Sequence, residues 1–258
     1  MSEKGQIAIL DDMGDSKFHL TTHKYDYYAG FCTPEHFHNE DQLLYGVHGV
    51  MTVRTPHGIW VVPPQRAIWI PAKIPHSTEM SGIVGMRTLW FRPKVVHHLP
   101  RRCHVMNVSP LLRELILHAC DVGKLNRRSE KQKLLLDFII NQLQDAKQLP
   151  LQLPMPSDPR AMKVAEILIK DPSSSKSLND YERMAGASKR TLARLFESET
   201  QMTFGKWRQQ LRLLHAMKLL ASGSKIIEVA LDSGYSSPSA FISMFKSVLG
   251  KTPNKYFE

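Results

Sequence analysis

Two groups of residues in this chain have types and spacing suited to chemistry, and they lie in different halves. The first is histidine-rich: eleven of the twelve histidines precede residue 120. Among them His36-Phe37-His38 is followed by Gln42, and His76 comes after Pro71-Ala-Lys-Ile-Pro75. Residues two apart on a strand point to one face, so His36 and His38 share a side, and a partner strand can supply His76. Three converging imidazoles could ligate a divalent ion such as zinc, iron or nickel. They could equally line a small-molecule pocket, or be structural residues bonded to backbone and water. Trp60, Trp69, Trp90 and the tyrosines near residue 25 could add aromatic walls to a pocket, core packing being their ordinary job.

The second group is cationic. From Ser188 to Glu199, Leu192, Leu195 and Phe196 recur at helical spacing behind a capping serine. That geometry turns Lys189, Arg190, Ala193, Arg194 and Glu197 outward, with Arg190 and Arg194 one turn apart on one face. An arginine there can hold a phosphate or make a bidentate contact to guanine worth about 1–3 kcal/mol of discrimination. Both roles are open for Arg190 and for Arg194.

The elements that must position these groups differ in period. From about Phe18 to Phe91 short apolar–polar alternations run between turn signals, as in Val50-Met51-Thr52-Val53-Arg54, the Pro56-His57-Gly58 turn and Ile59-Trp60-Val61-Val62. Many short strands at this spacing suggest a β-sandwich or barrel. After Pro93 the period becomes helical. One helix follows Ser109-Pro110, and a second runs from about Ser129 to Asp145. Their apolar faces must pack on the β domain or form a subunit interface. Three prolines in Leu149-Pro150-Leu151-Gln152-Leu153-Pro154-Met155-Pro156 predict an extended linker. Beyond it the chain reads as helices at about 158–170, 178–185, 189–199, 204–221, 225–232, 238–248 and 253–257.

Within this helical region the same layout occurs twice. A short helix, a tight Gly186-Ala187 turn and the Ser188 helix form a helix-turn-helix; Ile226 to Leu231, Gly234-Tyr235 and the helix opening at Ser237-Pro238 repeat it. The long helix between them could set the two recognition helices one DNA turn apart, roughly 34 Å.

Composition agrees. A chain of 258 residues, 42% hydrophobic and 22% charged, fits two modest globular domains. Residues 157–258 carry 16 Lys/Arg against 10 Asp/Glu, and residues 1–156 carry 18 against 14, so the basic excess is denser in the helical region. Met1 to Leu10 lacks a secretory signal pattern, and no apolar stretch is long enough to span a bilayer. Three separated cysteines, Cys32, Cys103 and Cys120, predict reduced thiols in a cytoplasmic protein.

The segments Ser188-Lys-Arg-Thr-Leu-Ala-Arg-Leu-Phe196, Arg212-Leu-Leu-His-Ala216, Ile227-Glu-Val-Ala230, Gly234-Tyr-Ser-Ser-Pro-Ser-Ala-Phe241, Phe245-Lys246 and Gly250-Lys-Thr-Pro-Asn-Lys-Tyr256 resemble the AraC/XylS family of transcription regulators. Two positions depart from the family pattern: Glu182 replaces a small alanine and Gln201 a glycine. The resemblance implies base-reading positions at Arg190, Ala193 and Arg194 in the first unit, and at Pro238, Ser239, Ile242 and Ser243 in the second. By chemistry the first unit should carry most direct readout, and the second should grip phosphate through Ser237, Ser239 and Lys246. The histidine segment, with Gly49 after it, resembles a cupin barrel. Gln42 stands where metal cupins carry glutamate, and Lys73 where they often carry glycine.

The expected fold is therefore α+β: a cupin-like β-barrel over 1–100, a helical pair over 101–148, a linker over 149–157 and an all-α double helix-turn-helix domain over 158–258. The expected function is a non-enzymatic, sequence-specific regulator binding double-stranded DNA, active as a homodimer, and touching RNA polymerase if it activates. A small-molecule effector would sit among His36, His38, Gln42, His76, Trp69 and Trp90. No cofactor is required, although His36, His38 and His76 could hold a metal. The alternative is a cupin metalloenzyme with an appended DNA-binding domain.

Overall fold

The computed structural model describes residues 17–257 and divides into two compact units. The Met1 to Leu10 stretch considered above lies outside the described residues. One unit joins the residues up to Thr55 with Val62–Leu151; the other joins Pro56–Val61 with Gln152 onward.

The first unit is β-rich. Its strands are β1 (Leu20–Tyr27), β2 (Asp41–Gly46), β3 (Val50–Thr55), β5 (Arg66–Ile70), β6 (Ser77–Ser81), β7 (Val84–Phe91), β8 (His104–Asn107), β9 (Lys124–Leu125) and β10 (Gln148–Leu149); β4 is the returning strand Gly58–Val62. Seven of them form one sheet in the order β10-β8-β5-β2-β7-β1-β9, and β3 pairs antiparallel with β6 in a second. Gly49, in the tight turn before β3, has φ 71°, and a Cβ there would collide with the Ile83 carbonyl.

Two helices, α1 (Pro110–Val122) and α2 (Glu130–Gln144), close one face of the large sheet. Ser109 caps α1 by accepting from the Leu112 N–H at 3.1 Å, with Pro110 at its first position. Leu112, Ile116, Leu136, Ile139 and Leu143 are buried in one core with Leu43, Trp69, Leu89 and Phe91. Packing on the sheet is thus where the apolar helix faces go, and each such side chain contributes about 1.5–3 kcal/mol of burial. The boundary expected at residue 100 shifts accordingly: β8 lies beyond it within the same sheet, and the 101–148 helices share the sheet's core.

The second unit is helical: α3 (Pro159–Lys170), a 3₁₀ turn (Leu178–Tyr181), α4 (Glu182–Ala185), α5 (Lys189–Thr200), α6 (Phe204–Ala221), α7 (Ile226–Asp232), α8 (Pro238–Leu249) and α9 (Pro253–Phe257). Its core centres on Trp207, fully buried and 5.1 Å from the Phe196 ring. The segment expected to be an extended linker is extended, as its prolines require, and it is also paired. Strand β11 (Gln152–Pro154) lies antiparallel to β4, the Trp207 Nε1–H donates to the Pro154 carbonyl at 2.7 Å, and Gln210 donates to the Gln152 carbonyl at 3.0 Å. Backbone groups that prolines leave without helical partners find them on a strand edge and a helix.

The two departures from the family pattern have local answers. The Glu182 carboxylate accepts the Lys189 backbone N–H at 2.5 Å, satisfying a donor at the start of α5. Gln201 ends α5 in the left-handed region at φ 59°, its N–H bonded to the Glu197 carbonyl at 3.0 Å. A side chain there strains a position that glycine occupies freely. Gln201→Gly is expected to raise stability by about 0.5–1 kcal/mol in chemical denaturation. A loss instead would mean that the side-chain bond from Gln201 to the Ser198 carbonyl outweighs the backbone strain.

Candidate functional site

The first helix-turn-helix is built from the 3₁₀ turn, α4 and α5. Ser188 opens α5, accepting from the Thr191 N–H at 3.3 Å, while Leu192, Leu195 and Phe196 are buried. Lys189, Arg190 and Arg194 are left exposed and Ala193 half-buried. The second unit repeats the scheme with α7 and α8. Ser237 accepts from the Ala240 N–H at 3.2 Å, and Phe241 and Phe245 are buried. Ser239, Ser243 and Lys246 are exposed; Ser237, Pro238 and Ile242 are half-buried. The anchoring stripe of α8 is narrower than the sequence periodicity suggests, since Ala240 and Val248 are exposed.

A residue to which the sequence alone assigns no role ties the two units together. Arg212, on α6, donates to the Pro172, Ser174 and Gly234 carbonyls at 3.2, 2.9 and 2.9 Å. It therefore fastens the turn of the second helix-turn-helix to the loop that precedes the first. Gly234 is required there: it has φ 74°, and a Cβ would lie 2.7 Å from the guanidinium carbon. Arg212 stands inside a motif quoted above, but only the fold shows which carbonyls it meets. Helix α6, about 27 Å long at 1.5 Å per residue, joins the two units.

The other site is a cavity of about 370 Å³ in the β-rich unit, its mouth open to solvent. Tyr25, Tyr27, Leu44, Met86 and Trp90 supply its apolar wall, and Thr33, His36, Gln42, His76 and Thr78 its polar wall. The pleat explains the membership. Gln42 pairs with Trp90 across β2 and β7, so both face the cavity, whereas Leu43 pairs with Trp69 and both face the helices. Trp69, expected in the pocket, is instead within the helix-covered core, 5.7 Å from Phe91. Tyr25 and Tyr27, among the tyrosines near residue 25 considered above, do form part of the wall.

The histidines do converge. His36 meets His76 through an isolated bridge, their ring centroids 4.4 Å apart, and His38 lies 5.1 Å from His76. Each Nδ1 bonds a nearby backbone carbonyl: His36 that of Pro34 at 2.8 Å, His38 that of Glu40 at 2.8 Å and His76 that of Ile74 at 2.9 Å. Burial pushes all three imidazoles below their ordinary pKa, His76 to about 3, so they are neutral at pH 7. The His38 Nε2 lies 2.8 Å from the Gln42 Oε1, an acceptor, and is engaged by it. The Gln42 NH₂ in turn donates to the Thr88 hydroxyl at 3.0 Å.

Measured against the metal expectation, that arrangement does not fit. The His38 Nε2 is engaged by Gln42, and no group of three or more His, Cys, Asp or Glu among the described residues is arranged to hold an ion. Gln42, a neutral ligand at best, is what fills the coordinating position.

Residues 181–258 match a helix-turn-helix domain, and residues 20–153 match an AraC-like ligand binding domain. The chain is 35% identical over 224 residues to the HTH-type transcriptional regulator NimR of Escherichia coli (strain K12), covering 87% of this chain and 82% of that protein. Among solved structures, the DNA-binding domain of AdpA in complex with a target DNA is 31% identical with a TM-score of 0.36, over 39% of this chain and 91% of that one. ToxT from Vibrio cholerae strain SCE256, bound to an unsaturated fatty acid, is 14% identical with a TM-score of 0.39, over 92% and 94%. Paired helix-turn-helix units joined to a ligand-binding domain define a DNA-binding transcription regulator. The chain belongs to the AraC family of such regulators.

Replacing Arg212 by alanine strands several carbonyls at once. Arg212→Ala is expected to lower stability by about 2–3 kcal/mol in chemical denaturation and to weaken DNA binding in a gel shift. A variant that keeps wild-type stability and binding would show that the two units hold their spacing without this contact.

Proposed function

We propose that this regulator binds its operator through unequal helix-turn-helix units under the control of a small-molecule effector held in the β-rich unit, a cupin-type barrel. The observation that carries the reading is the exposed pair Arg190 and Arg194, one turn apart on a recognition helix whose opposite stripe is buried. Arg194 and Arg190 read base edges beside Ala193, with Lys189 on phosphate. Around α8 the side chains are small or apolar, so Pro238 and Ile242 give contact only, while Ser237, Ser239, Ser243 and Lys246 hold the backbone. The Ser237 oxygen is committed to capping, and its hydroxyl hydrogen is what reaches a phosphate.

The protein acts in the cytoplasm without a required cofactor, as a homodimer, and meets RNA polymerase where it activates. Leu111, Leu134 and Phe138 on the outer face of α1 and α2, each more than half exposed, support a subunit contact there. Among the described residues no helix is long and apolar enough to cross a membrane. The metalloenzyme alternative gains no support from the cavity, whose lining among the described residues holds two histidines and no carboxylate.

Arg194→Ala measured against an operator library is expected to relax selectivity at one base position at a cost of about 1–3 kcal/mol. Lys246→Ala is expected to weaken all sequences alike and reduce the slope of log affinity against log salt by about one. Uniform weakening by Arg194→Ala, with no position relaxed, would contradict base reading.

A further inference from the structure

The cavity in the β-rich unit contains two buried polar atoms that nothing among the described residues satisfies. The His76 Nε2 and the Trp90 Nε1 both lack a hydrogen-bond partner, in residues only 1% and 4% exposed. Both rings line the cavity. Their chemistry is opposite. With its Nδ1–H given to the Ile74 carbonyl, a neutral His76 offers only an accepting lone pair at Nε2, while an indole nitrogen can only donate.

Three of the other polar side chains in the lining are already paired. The Thr33 and Thr78 hydroxyls bond each other at 2.9 Å, and Gln42 is shared between His38 and Thr88. A polyhydroxylated guest would bring more donors and acceptors than the walls can answer. Among the described residues no Lys, Arg, Asp or Glu lines the cavity, so an ionised guest would lose its hydration with no counter-charge in return. Tyr25, Tyr27 and Trp90 present aromatic surface to whatever enters. The space of about 370 Å³ includes open solvent at its mouth, so the enclosed part is small and suits only a small guest.

We propose that this cavity takes an uncharged, planar aromatic or heteroaromatic molecule of one small ring system, bearing an acceptor for the Trp90 indole N–H and a donor for the His76 Nε2. The inference rests on the reading of this unit as the effector-binding domain. An orphaned buried group costs about 1–3 kcal/mol, and a guest that pairs with both removes that cost on binding.

Isothermal calorimetry on the full chain tests it with five probes: benzamide, benzoate, benzylammonium, cyclohexanecarboxamide and arabinose. Benzamide is expected to bind, with benzoate and benzylammonium at least about tenfold weaker because they must be desolvated unpaired. Cyclohexanecarboxamide, which keeps the amide and loses the ring face, is also expected to bind more weakly. Trp90→Phe and His76→Phe, which keep aromatic bulk, are each expected to weaken benzamide about three- to tenfold while the operator gel shift is unchanged. Binding of benzoate, benzylammonium or arabinose as tight as benzamide, and weakened by the same variants, would overturn the ligand class and leave the effector reading standing. Silence from all five probes at millimolar concentration, with normal operator binding, would overturn both. Stoichiometric zinc in the purified chain, lost in His76→Phe, would overturn the class in favour of a metal centre.

Discussion

A carbon atom added at Gly234 would stand 2.7 Å from the Arg212 guanidinium and 2.8 Å from the Ser173 carbonyl, and the DNA-binding unit is organised around that lack of space. The guanidinium sits between two loops that are far apart in sequence, one before the first helix-turn-helix and one inside the second. Carbonyls at both places would otherwise turn inward unpaired, so a single side chain satisfies them and fixes the distance between two recognition helices. Partial burial holds the Arg212 pKa somewhat below its ordinary value, yet an arginine stays charged, and charge strengthens each of these bonds. Everything proposed about reading and gripping DNA needs this spacing to be set before DNA arrives.

The β-rich unit depends on a different constraint, the two-residue period of a strand. Strand β2 is buried at all six positions because helices cover one face of its sheet and the cavity lies on the other. A step of one residue decides whether a side chain packs against α1 and α2 or meets a ligand. That is why Gln42 and Leu44 line the cavity while Leu43 and Tyr45 join the core. The neutral histidines follow from the same burial. Desolvation keeps them uncharged, and local carbonyls take their Nδ1 hydrogens.

Much of the helical unit is legible in the sequence. The stripe Leu192, Leu195, Phe196 and the caps Ser188 and Ser237 are local features, and the structure reproduces them residue for residue. What is not legible is non-local. The role of Arg212 depends on carbonyls about 40 residues away, and backbone acceptors leave no mark on side-chain identity. The proline-rich segment is extended, as its composition requires, but the partners that hold it, β8, β4 and Trp207, come from distant stretches of the chain. Trp69 falls in the core rather than the pocket because composition alone cannot tell the faces of a strand buried on both sides. His36, His38 and His76 group as their spacing suggests, yet the Gln42 amide that engages the His38 Nε2 emerges only with coordinates.

If α6 and the Arg212 contact hold the two recognition helices as one body, the chain must meet both major-groove segments together. Hydroxyl-radical footprinting of the full-length protein on the promoter beside its own gene tests this most directly. The expected result is two protected patches on one face of the duplex, centred about one helical turn, roughly 10–10.5 base pairs, apart and forming at the same protein concentration. A single patch, or two that fill at separate concentrations, would contradict it.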